Sequence, residues 1–218
     1  MNERQNQNPA EAGRRTELKS RIRPLGAEIP DDVFLPFLDL CFNWSMDKPR
    51  VEIDELLERD DAAFYFKDWG RNGDIAVAAY ATDLSATDTT GAGSAAGSEP
   101  EIVGLAWLRL AGFEAVIDRS ATDADDGTAV EAGPHFTGYG WVAADIPELS
   151  LAVLPDHQSQ GLGGMLLDVV CTLAKMSGFP AVSLSVEDGN GAARLYHDRG
   201  FVAVGRNGDS DILVRKLT

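Results

Sequence analysis

Residues 148–201, ELSLAVLPDHQSQGLGGMLLDVVCTLAKMSGFPAVSLSVEDGNGAARLYHDRGF, decide the fold. Leu149 to Leu154 is a short apolar run that Pro155 ends, the mark of a buried strand. After the polar loop Asp156-His157-Gln158-Ser159-Gln160, a helix begins near Gly161. Its apolar residues Leu162, Met165, Leu166, Val169, Val170 and Leu173 recur at spacings of 3, 4 and 7. Gly178 and Pro180 stop it. From Ala181 to Val186, Val182, Leu184 and Val186 alternate with Ser183 and Ser185, the period of a strand. Asn190 caps a short helix through Tyr196, and Gly200 ends it. Phe201 to Val204 and Ile212 to Leu217 read as the last strands. The order is β-α-β-α-β-β.

Upstream the pattern continues as an α/β arrangement. Residues 1–20 are polar and without hydrophobic period, so a disordered tail is expected there. A strand follows at Ile22 to Leu25. Pro30-Asp31-Asp32 caps a helix carrying Phe34, Phe37, Leu38 and Cys41, and a second helix covers Ile53 to Phe64, with Leu56 and Leu57 inward. Ile75 to Ala81 and Ile102 to Leu110 are strands. The stretch 82–100 between them is Gly, Ala, Ser, Thr and Asp with no bulky core former after Leu84, the composition of a flexible hairpin loop. Residues 114–147 form an insertion that starts acidic and ends aromatic, with His135, Phe136, Tyr139 and Trp141. It reads either as a surface excursion or as a loop shaping a substrate pocket. The 218 residues otherwise suit one domain, 21–218.

Composition removes several function classes. Asp and Glu number 35 against 19 Lys and Arg, a formal charge of −16 and a pI near 4.4. Nucleic acid binding needs cations to neutralise phosphates, and an anionic membrane surface needs them too. The surplus instead favours a cationic partner or reflects a salty cytosol. No apolar stretch approaches the ~20 residues that span a bilayer, and the polar start lacks an apolar leader, so a cytoplasmic protein is expected. Cys41 and Cys171 lie on apolar faces of the expected helices, as core residues. The three histidines and two cysteines show no metal-ligand spacing.

Gln158-Ser159-Gln160-Gly161-Leu162-Gly163-Gly164 lies between a strand and a helix. The first turn of a helix presents backbone N–H groups without intrahelical partners, and the dipole adds positive potential. Glycine lets a pyrophosphate come close to such a backbone. A P-loop would continue with Gly-Lys-Ser/Thr, whereas Met165 and Leu166 follow here. A dinucleotide fingerprint finds Gly161 and Gly163, with Glu187 and Asp188 after the next strand, but Leu166 stands at its third glycine.

A third pattern covers the whole region. Residues 148–201 resemble the GCN5-related N-acetyltransferase (GNAT) family. Its acyl-CoA motif, Gln/Arg-x-x-Gly-x-Gly/Ala, is matched by Gln158, Gly161 and Gly163. Its downstream motif is matched by Asn190, Ala193, Leu195, Tyr196, Gly200 and Phe201. The resemblance implies an α/β fold with a mixed central sheet, splayed strands and flanking helices. It also implies acetyl-CoA as cosubstrate, held by the backbone of Leu151, Ala152 and Val153 and by the amides of Ser159, Gln160, Gly161, Leu162, Gly163 and Gly164. Asn190 corresponds either to a cofactor contact or to a helix cap.

By the same resemblance Tyr196 matches the usual general acid, unless it is only a core aromatic, and His197 faces solvent. Some relatives carry a Glu in the strand where this chain has Ser185. Glu148 is then the candidate base, or else an ordinary edge carboxylate. The implied activity is acetyl transfer to a primary amine, small molecule or peptide. A protein N-terminal acetyltransferase and a catalytically silent acyl-CoA-binding module stay open as alternatives, and a homodimer is an open option.

Overall fold

The computed structural model describes residues 9–83, 100–116 and 136–217. Seven strands are built in it: β1 (Ile22–Leu25), β2 (Ile75–Tyr80), β3 (Ile102–Arg109), β4 (Glu148–Val153), β5 (Ala181–Glu187), β6 (Val202–Asn207) and β7 (Ser210–Lys216). The helices are α1 (Pro9–Ser20), α2 (Leu35–Phe42), α3 (Ile53–Glu58), α4 (Asp60–Phe66), α5 (Leu162–Met176) and α6 (Ala192–Asp198). One mixed sheet runs β1-β2-β3-β4-β5-β7-β6, antiparallel throughout except for the β4–β5 pair.

Both faces of the sheet are covered, which explains why β3 is apolar along nearly its whole length. Residues Val103 to Arg109 are all buried. On one face α5 lays Leu162, Met165, Leu166, Val170 and Ala174 onto Val77, Ala79, Ala106 and Leu108. Gly104 permits that approach, since a Cβ there would meet Leu166 Cδ1 at 3.0 Å. On the other face Phe34, Phe37, Leu38, Leu56, Tyr65 and Phe66, from the turn before α2 through α4, cover Ala76, Ala78, Leu105 and Trp107.

Two expectations change, and a third lies largely outside the described residues. Part of the expected disordered tail, residues 9–20, forms α1. The segment holds good helix formers, and Leu18 packs against the core while Arg14 Nη2 donates to the Gln160 carbonyl at 3.0 Å. A single half-buried leucine was too little periodicity to show this in sequence. Next, the helix expected over Ile53 to Phe64 is two helices, broken at Arg59, whose backbone is extended (φ −90°, ψ 129°). Asp60 and Asp61 open a new first turn, where acids suit the dipole. The break leaves Leu57 46% exposed, while Leu56 is fully buried. Finally, the loop 82–100 falls between 84 and 99 outside the described residues, as do 117–135 of the insertion.

Candidate active site

β4 and β5 touch at one register position only, Glu148 opposite Ser183. Past it they part, while β5 stays paired with β7 and β4 with β3 on their other edges. Backbone groups alternate along β4 between the β3 side and the gap. The Leu154 N–H donates to the Val103 carbonyl (2.9 Å), which sets the phase. The Leu151 carbonyl faces the Cys41 thiol (3.7 Å), and the Val153 carbonyl accepts from Gln158 Nε2 (2.9 Å). Leu151 and Val153 therefore present their backbone to the gap, while Ala152 turns its backbone groups to β3.

The gap ends at the glycine loop. Ser159 and Gly161 take positive φ, 58° and 91°, and no side chain caps the start of α5. The three glycines differ in what they accommodate. Gly161 needs its conformation, and a Cβ on Gly164 would stand 2.6 Å from Arg199 Nη2. A Cβ on Gly163 would meet only Leu195, Leu151 and Val153, at 3.5 to 3.9 Å, ordinary contact. Packing within the protein does not require that glycine. Asn190 has a structural task, its Oδ1 accepting from the Ala192 N–H at 2.9 Å at the start of α6.

Glu148, at the base of the gap, is 5% exposed. Tyr65 on α4 donates its hydroxyl to Glu148 Oε1 at 2.9 Å, and the Tyr139 N–H donates to that hydroxyl at 3.1 Å. Gly138 takes φ +107°, and a Cβ on it would lie almost on Glu148 Oε2 (2.0 Å). The return of the insertion is thus wedged under the gap. Gly140 lies against the backbone of Leu184 and Ser185, where a Cβ would be 2.5 to 2.9 Å from main-chain atoms. The Tyr139 hydroxyl donates to Asp61 Oδ2 at 2.5 Å, and Arg59 grips the same carboxylate at 3.0 and 2.6 Å. Burial acts to raise the Asp61 pKa, but the bonds from Arg59 and Tyr139 outweigh it and hold the carboxyl below its ordinary value. The Tyr139 phenol is pushed up to about 12 by burial and by its bond to Asp61.

Tyr196 comes to β4 with the other core layer. It is 8% exposed on α6, with Phe201 edge-on at 5.8 Å. Burial, and then the neighbouring Cys41, push its phenol above the usual range, so it keeps its proton. Cys41, raised to about 12 by burial, also stays protonated. From α2 the chain crosses to the far side of the gap, where Trp44 Nε1 donates to Glu187 Oε2 at 2.6 Å. Lys48 pairs with Glu187 and reaches Asp209 at 3.6 Å. His197 is exposed, as expected. Neither Tyr65 nor Arg14 stood out in the sequence. Tyr65 reads as one more aromatic of an amphipathic helix, and Arg14 lies outside every motif.

Among the described residues there is no cluster of His, Cys, Asp and Glu that could hold a metal, and no helix is long and apolar enough to cross a membrane. No curated protein matches the chain. Solved structures do match in fold. An acetyltransferase of the GNAT family from Staphylococcus aureus Mu50 is 14% identical, covering 90% of this chain and 99% of that one, with a TM-score of 0.53. A second N-acetyltransferase from the same organism is 15% identical over 90% and 98%, with a TM-score of 0.50. A chimera of Vibrio cholerae spermidine N-acetyltransferase SpeG and hSSAT is 14% identical over 90% and 96%, also at 0.50. The Acetyltransferase (GNAT) family matches residues 36–201. The chain belongs to that family of acyltransferases, whose donor is acetyl-CoA.

Proposed function

We propose that the protein moves an acetyl group from acetyl-CoA to a primary amine, small molecule or peptide, by direct attack, with Glu148 as general base and Tyr196 as general acid. The observation that carries this reading is the position of Glu148. It is a buried carboxylate at the point where β4 and β5 part, with a hydroxyl donor already set on it.

The residues present suit acetyl-CoA. The Leu151 and Val153 backbone would hold its pantetheine arm as a strand would. The amides from Ser159 to Gly164 would hold its pyrophosphate, which Gly163 admits because nothing in the protein fills its place. Arg14, exposed and bonded to the Gln160 carbonyl, adds a cation at the rim of a loop that has none of its own. When bound, acetyl-CoA supplies an acyl thioester. Glu148 takes the proton that an attacking amine must lose, directly or through water. Tyr196, neutral at working pH, can donate a proton to a departing sulfur. Asn190 uses its Oδ1 as a helix cap, which leaves its amide Nδ2 as the group that would donate to the cofactor.

The test is turnover of acetyl-CoA with a panel of free amines and peptide N-termini, on the wild type and Glu148→Gln. Turnover of amines that Glu148→Gln abolishes supports the reading. Acetyl-CoA binding without turnover of any acceptor would instead indicate a silent binding module, and turnover confined to peptide N-termini a protein N-terminal acetyltransferase.

A further inference from the structure

We infer that Tyr65 is the residue that positions Glu148, orienting its carboxylate and favouring its ionised form, an inference resting on Glu148 as the base. A phenol has one proton to give. The Tyr139 N–H donates to the Tyr65 oxygen at 3.1 Å, so that oxygen accepts there, and its single proton is committed to Glu148 Oε1 at 2.9 Å. An ionised carboxylate only accepts, so the proton on this bond is the phenol's.

The phenol is held against rotation. Trp107 Nε1 donates to the Tyr65 carbonyl at 2.8 Å, inside the core. The ring meets Phe64 at 4.8 Å and Phe42 and Phe136 at 6.4 Å, each edge-on. Burial, with the Glu148 charge, pushes the Tyr65 pKa well above its ordinary value, so the donor persists at any working pH. Gly138 completes the wall, since any side chain there would displace the carboxylate.

Three other groups close to Glu148 have partners of their own. Across β3, Arg109 is its register partner, but that guanidinium is held by Asp74 and by the carbonyls of Phe64, Lys67 and Asp68. Ser183 faces it from β5 and leans to the Pro147 carbonyl. Tyr139 gives its hydroxyl to Asp61, which Arg59 neutralises. Tyr65 is the side chain whose proton these contacts aim at Glu148.

The experiment combines Tyr65→Phe, Glu148→Gln and the double variant with pH profiles of kcat/KM, acetyl-CoA affinity and melting. Tyr65→Phe keeps the ring and its contacts. Removing a donor from a carboxylate favours its protonated form. The acidic limb should therefore move to higher pH, and kcat at neutral pH should fall about tenfold, as for loss of a hydrogen bond to a charged group. Acetyl-CoA affinity should hold, and Tyr65→Phe should cost nothing further in the Glu148→Gln background. An unmoved acidic limb in Tyr65→Phe, or an equal loss with and without Glu148, overturns the inference alone. Wild-type kcat in Glu148→Gln overturns the base assignment itself.

Discussion

Arg199 closes over Gly164. Its Nη1 donates to the Gly164 carbonyl at 2.5 Å while pairing with Asp168 at 2.9 Å, and its Nη2 stands 2.6 Å from where a Cβ on Gly164 would be. The adjacent Gly163 has room for that Cβ. Two neighbouring glycines of one loop therefore have different physical causes. Gly163→Ala should leave melting unchanged or slightly raised, since alanine is the better helix former. It should weaken acetyl-CoA binding tenfold or more, about 1.4 kcal/mol. Gly164→Ala should do the reverse, losing about 1 kcal/mol of stability to crowding. Calorimetric titration and melting of the two variants check the contrast, and equal affinity in Gly163→Ala and wild type would remove the pyrophosphate from that loop.

Tyr196→Phe separates acid catalysis from packing. The ring and its contact with Phe201 remain while the proton is lost. Turnover should fall by ~10²–10⁴, the usual contribution of a positioned acid, with acetyl-CoA binding kept. Steady-state rates and melting on the same protein give both readings, and near-normal kcat would make Tyr196 structural only.

Asp61 gives a stability prediction with a definite sign. Its folded pKa is lowered, so the unfolded chain binds its proton first as pH falls. The contribution is present above the ordinary carboxylate value of 3.8 and is lost as pH drops below it, toward the folded value. Asp61→Asn should cost about 2 kcal/mol near neutral pH, the loss of bonds to a charged group, and progressively less as pH falls below 3.8 toward the folded value. Melting curves across that range decide it, and a cost that stays constant with pH would place the effect in packing.

The charge of −16 bears on the acceptor. For a cationic amine, kcat/KM should fall as salt rises, because exposed charges are screened beyond ~8 Å at physiological ionic strength. A flat profile between low and high salt for the best substrate would show that the acidic surplus does not steer it.

Much of the frame is legible in the sequence because the forces that set it are local. The alternation from Ala181 to Val186 and the spacing from Leu162 to Leu173 each fit only one backbone period, and β5 and α5 lie where those patterns are. The motif residues Gly161 and Gly163 sit in a strand, a turn and a helix in immediate succession, whereas Tyr196 as an acid candidate followed only from the resemblance to the family. Glu148 could be named as a carboxylate on the right strand, but not as a buried one.

What only the tertiary structure decided involves residues far apart in the chain. Tyr65 and Glu148 are 83 positions apart, and nothing in an aromatic helix marks which of its rings will meet a carboxylate. Arg14 and Gln160 are separated by 146 positions, and one half-buried leucine is too weak a pattern to predict that α1 would dock at the glycine loop. Gly138 looks like any loop glycine until β4 places Glu148 where its Cβ would be. Periodicity reports which face of an element is buried. The partner on that face is set by how the layers stack, and here that stacking buries Glu148 beside Tyr65.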